Sequence, residues 1–224
     1  MTLPKLVPTI LWTSLTLFVA VLFSPALEIV FNKSECGPTP AGKRMATDVI
    51  VASNAYLTEY GVLPGSDLSR DQTKDTWFGD VKAGASEHNN AIFFAFRDIP
   101  KGPNENFRMN MRRIIFVEEK AATISKDGTP HGGFFDHRPN APTPPPDLES
   151  CLYDPWGREY GIVIDTNGDG VLDLTGIYSD FTGARAPRKQ IGVFSFGKDG
   201  APGTKGDHLY RQGDKLSDDI ISWE

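Results

Sequence analysis

The sequence predicts an α+β protein: an N-terminal transmembrane helix, then a globular domain in which an amphipathic helix packs on a small antiparallel sheet. Three observations lead there. Leu6 to Leu27 carries no charged residue. Apolar residues recur at three- and four-residue spacing from Lys43 to Tyr60. Beyond Arg112, short β-branched and aromatic runs alternate with stretches rich in Gly, Pro and Asp.

A helix needs about 20 apolar residues to cross a bilayer, and the charge-free run, bracketed by Lys5 and Glu28, is long enough. It predicts a membrane anchor over residues 1–31. The competing reading is a cleavable signal peptide, for which Ser24, Pro25 and Ala26 supply small residues near a cleavage point. A buried core helix is disfavoured, because the run has no polar face. The expected placement is a single pass through the inner membrane, with the globular domain extracytoplasmic (periplasmic).

Residues 32–42 hold two prolines and two glycines and read as a linker. The globular domain is expected over residues 43–224. In the helix Lys43 to Tyr60, Met45, Val49, Ala52, Tyr56 and Tyr60 share one face. Gly61 caps it and Pro64 stops it. Ser86 to Arg97 is read as a second, shorter helix, although its AIFFAF run fits a buried segment of either type. Strands are expected at Arg113–Glu119, Tyr160–Ile164, Val171–Leu174 and Gln190–Phe196. Asp127 to Leu148 reads as a long surface loop ending in the Pro142–Pro146 stretch.

Composition narrows the function. Among 224 residues, 39% are hydrophobic and 23% charged, as in an ordinary folded domain. The net charge of -6, with no basic stripe, argues against a nucleic-acid partner. Cys36 and Cys151 have no CxxC spacing, so a zinc site is not expected from them. A disulfide between them and two unpaired thiols both stay open. No GxSxG, HExxH, phosphate-loop or dinucleotide pattern occurs. Glu118 and Glu119 alternate faces on a strand and do not converge. His131 and His137 flank Asp136 in a Gly/Pro-rich loop, and read more simply as solvated than as metal ligands. The chain is read as non-enzymatic.

Two stretches carry hard-cation chemistry. Asp165, Asn167, Asp169 and Asp173 place side-chain oxygens at loop positions 1, 3, 5 and 9, the Val171 carbonyl falls at position 7, and Gly170 allows the sharp turn at position 6. Position 12 is Gly176 where a bidentate Glu is needed, so a weak Ca2+ site or a plain hairpin turn fits equally. Farther on, the region from Lys198 to Asp219 is rich in Gly and Asp and poor in core residues. A bound ion there would stabilise the fold by mass action.

Asp154-Pro155-Trp156-Gly157-Arg158-Glu159-Tyr160 resembles the DPWGxxY signature of the major pseudopilin family of type II secretion. Ser195-Phe196-Gly197-Lys198-Asp199-Gly200 resembles that family's SxGxDG element, and Asp218-Asp219-Ile220 through Trp223 its closing tail. Ala52 to Pro64 is similar to the end of its long helix. The resemblance implies a pseudopilin-like head with a calcium-binding C-terminal loop. Asp199 matches a calcium ligand of the family and Phe196 a carbonyl ligand; Asp207, Asp218 and Asp219 are candidates for the later acidic ligands. It implies a subunit of a secretion or fibre apparatus, partnered by other pseudopilin-like subunits and the membrane. Lys5 stands where the family has a Glu, and residues 37–42 interrupt the long helix, so a solitary anchored binding module is the rival. A hydrolase built on His131 and His137 is the second rival.

Overall fold

The computed structural model describes residues 40–65 and 73–224, which belong to one compact unit, Gly37–Glu224. Helix α1 (Pro40–Tyr60) opens it. Pro40 sits in the first turn, where its missing N–H costs no helical bond. Gly61 ends the helix at φ 72°, its N–H bonded to the Leu57 carbonyl at 2.8 Å, because a left-handed residue at that place closes the last turn. Met45, Ala46, Val49, Ala52, Ser53 and Tyr56 form its buried face.

The main sheet has the order β1 (Thr76–Phe78), β6 (Gly161–Ile164), β7 (Ile191–Ser195), β10 (Ile220–Ile221), with every pair antiparallel. Strand alternation gives it two apolar faces. Ile162, Ile164, Val193 and Ile220 pack toward α1 in the larger core. Val163, Phe194 and Ile221 point the other way, into a second core with Leu172, Leu174, Tyr178, Phe181 and Tyr210. A sheet covered on both faces explains why Gly161–Ile164 reads as an unbroken apolar run instead of an alternating one. At the crossing, Gly161 lies opposite Phe194, and the Phe194 ring occupies the space that a Cβ on residue 161 would take.

Between β1 and β6 lies α2 (Asn90–Phe96), all of whose residues are buried. The coil around it contains three short ladders: β2 (Thr123–Ile124) with β3 (Pro130–His131), β4 (Gly133–Phe134) with β5 (Leu152–Tyr153), and, later, β8 (Arg211–Gln212) with β9 (Lys215–Leu216). Buried asparagines substitute for regular ladders. Asn89 donates to the Leu152 and Tyr160 carbonyls and accepts from the Leu152 N–H. Asn110 donates to the Ala95 and Ile114 carbonyls and accepts from the Ile114 N–H and the Tyr60 hydroxyl. Backbone groups buried in coil must be paired in this way or lose free energy.

Five expectations are corrected. No helix among the described residues is long and apolar enough to cross a membrane. The long helix among the described residues, α1, is apolar on one face only, with Lys43, Arg44, Asp48 and Glu59 off it. The fold class with a transmembrane helix and the single-pass inner-membrane placement are therefore not retained; the run Leu6–Leu27 lies outside the described residues. Arg113–Glu119 is not a strand. Arg113 takes φ 57°, Ile115 is 53% exposed, and the N–H groups of Phe116 and Val117 both bond to the Phe96 carbonyl at the end of α2. Val171–Leu174 is coil: Leu172 and Leu174 are buried in the second core, but the segment pairs with no strand among the described residues, and the Leu172 N–H bonds to the Pro187 carbonyl. The loop from Asp127 is partly ordered: Asp127 accepts from the Ser125 hydroxyl and the Thr129 N–H, closing the turn between β2 and β3.

Candidate metal centre

The residues that carry the family resemblance converge. Asp154, fully buried, accepts the Ser195 hydroxyl at 2.5 Å through one carboxylate oxygen. Through the other it accepts the N–H groups of Trp156 and Arg158, at 2.8 and 2.9 Å. Ser195 Oγ in turn accepts the Gly197 N–H at 3.1 Å. Arg158 reaches across to the Gly197 and Lys198 carbonyls at 3.2 and 3.4 Å. The DPWG turn thus fixes the backbone of the loop that follows β7. Burial pushes the Asp154 carboxyl up, opposed by these hydrogen bonds.

That loop brings three of the candidate ligands together. Asp199, Asp218 and Asp219 each offer a carboxylate oxygen within 4.8 Å of the others. Gly197, at φ 61°, permits the approach, for a Cβ there would stand 2.6 Å from the Asp218 carbonyl. Asp218 accepts the Lys198 N–H at 2.7 Å. Asp199 accepts the Ala201 and Lys205 N–H groups. Asp219, fully buried, accepts the Gly203 N–H at 2.7 Å and the Tyr178 hydroxyl at 2.8 Å through Oδ2, while its Oδ1 is buried with no partner. Burial raises the Asp219 carboxyl to about 7, with the charge of Asp218 adding to the shift.

The other candidates fall elsewhere. Asp207 closes its own turn, accepting the Thr204 and Leu209 N–H groups, and is not part of the trio. The Phe196 carbonyl accepts the Gly200 N–H at 3.1 Å, and its ring packs 5.1 Å from that of Phe194.

In the Asp165–Asp173 loop the side chains bind their own backbone. Asp165 accepts the Gly168 and Gly170 N–H groups, Asn167 that of Asp169, Asp169 that of Val171, and Asp173 that of Thr175. Among the described residues, the carboxylates of Asp165, Asp169 and Asp173 do not gather within 4.8 Å of one another. Asp75, which the sequence reading missed, joins them by accepting the Asp173 N–H. Burial raises its carboxyl to about 6, with Asp165 and Asp169 adding to the shift. Its position comes from the pairing of Thr76 with Ile164, which sets the preceding residue beside Asp165; no local pattern announces that.

His131, Asp136 and His137 do not converge. His131 faces the Pro155 carbonyl, His137 faces Thr143, and Asp136 is held in a two-pronged pair with Arg97.

No family model, no curated protein and no solved structure matches the chain. The expectation of a type II secretion pseudopilin gains no support from these comparisons, and the resemblance rests on the motifs alone.

Proposed function

We propose that this chain is a non-enzymatic structural subunit with a pseudopilin-like head, whose C-terminal loop is held by Ca2+ at Asp199, Asp218 and Asp219, and whose partners are subunits of the same kind. The observation that carries the reading is the unpartnered Oδ1 of Asp219, buried beside two further carboxylates. A buried carboxylate oxygen without a partner costs free energy, and a hard cation that seeks oxygen ligands removes the cost. The residues present fit such an ion: three carboxylates on a loop tied at both ends, by Arg158 at Gly197 and by Tyr178 at Asp219. The ion would offset most of the negative charge of the three carboxylates and fix residues 197–219 against the sheet.

The test is thermal unfolding of the full chain in calcium and in chelator. A saturating ion at about 100 times its dissociation constant adds about 2.7 kcal/mol, which in a protein of this size moves the midpoint by several degrees. Asp219→Asn should abolish the shift. An unchanged midpoint in the unmodified protein rejects the ion. A shift that survives Asp219→Asn and vanishes in Asp165→Asn moves it to the other loop.

A further inference from the structure

A second group of ligating side chains lies away from the acidic trio. His88 precedes α2, Cys151 precedes β5, and Glu159 lies on the return of the hairpin that follows β5, bridged to Tyr153. One ligand atom from each lies within 4.8 Å of the other two. His88 Nδ1 is 2.7 Å from Glu159 Oε1, and the other Glu159 oxygen accepts the Asn89 N–H at 3.2 Å. Asn89 is itself fixed by three bonds to the backbone of Leu152 and Tyr160, so the segments carrying the three residues are clamped together. The Glu159 side chain is 4% exposed and Cys151 is 0% exposed. His88 and Glu159 line a cleft of about 240 Å³, whereas Cys151 is fully buried and does not line it.

We propose that His88, Cys151 and Glu159 form a zinc site, open on its cleft side to a fourth ligand. The donor set selects the metal. Imidazole, thiolate and carboxylate together suit a borderline cation such as zinc and not calcium, which takes oxygen alone. Zinc bond lengths of about 2.0–2.3 Å put tetrahedral ligands some 3.3–3.8 Å apart, so side-chain rotations of about 1 Å suffice. The charges also balance. Binding forms the metal–sulfur bond as the Cys151 thiol gives its proton to solvent, and one thiolate with one carboxylate offsets the divalent charge. Without a cation, burial keeps that thiol protonated. The site shares no ligand with the calcium reading.

The test uses the full chain with Cys36→Ser, so that Cys151 is the sole thiol. One equivalent of cobalt(II), as a spectroscopic stand-in for zinc, is expected to give the near-ultraviolet thiolate-to-cobalt absorption and a tetrahedral visible band, both displaced by zinc. Cys151→Ser should remove the thiolate band. His88→Gln, at a partly exposed position, should lower cobalt affinity at least about tenfold even if the Cys151 variant misfolds. Asp219→Asn should change nothing. Absence of the thiolate band, or unaltered cobalt affinity in His88→Gln, overturns the site.

Discussion

Ser195 donates its hydroxyl to the buried Asp154 carboxylate at 2.5 Å, joining two motifs 41 residues apart in the chain. The DPWG turn and the loop after β7 are therefore one mechanical unit. Asp154 also holds the Trp156 and Arg158 N–H groups, and Arg158 holds the loop carbonyls at Gly197 and Lys198. The acidic trio sits on a backbone positioned by this unit.

Breaking the joint should be costly and coupled. Ser195→Ala leaves the Asp154 oxygen and the Gly197 N–H short of a partner, at about 1–3 kcal/mol. Asp154→Ala should cost more, since three donors lose their acceptor. In chemical denaturation the double variant should be less destabilised than the sum of the two, because both changes remove the same bond. Full additivity would mean that the bond carries no coupling.

Gly161→Ala tests the sheet crossing. The backbone there is not left-handed, so the cost is steric alone, against the Phe194 ring. Overpacking of this kind typically costs about 1–3 kcal/mol. Phe194→Leu in the same chain should recover part of the loss, read as a midpoint difference between the double and single variants.

Asn89→Ala should destabilise by at least about 2 kcal/mol, because the Leu152 N–H and two carbonyls lose a buried partner together. Far-ultraviolet dichroism during denaturant unfolding measures it. A near-neutral result would show that water replaces the side chain.

The pH dependence in chelator follows from Asp219. Its folded carboxyl is raised by burial to about 7, above the value of about 3.9 in an unfolded chain. Between those limits the folded state binds more protons, so its stability should fall as pH rises from about 4 to about 7 and level off above. Asp219→Asn should flatten that slope. Calcium competes with the same proton, so the calcium-induced rise in midpoint should be larger at pH 8 than at pH 5. The opposite order would place the ion elsewhere.

The helix face and the strand cores were legible because they depend on local periodicity. Met45, Val49, Ala52 and Tyr56 recur at helical spacing and are buried together. The apolar runs at residues 160–164 and 190–196 contain β6 and β7. Arg113–Glu119 misled because its β-branched and aromatic residues satisfy a strand propensity that no neighbouring strand rewards; its backbone serves the end of α2 instead. The asparagine hubs left no pattern, since one buried Asn in coil looks like any loop residue.

The candidate sites divide in the same way. The resemblance implied Asp199 as a ligand, with Asp207, Asp218 and Asp219 as candidates, and the Asp165–Asp173 spacing fitted a weak cation site or a hairpin turn. The sequence by itself determined which side chains carry oxygens of the kind a hard cation takes and which segments are apolar on one face. Only the tertiary structure decided which of them meet. Asp207 turns back on its own loop, Asp75 joins Asp173 through strand register, and Cys151 and Glu159 come to His88 from 63 and 71 residues farther along the chain. The physical reason is that ligand convergence depends on long-range pairing, here the antiparallel register of β1 with β6 and the bonds made by Asn89, and neither is written in local spacing.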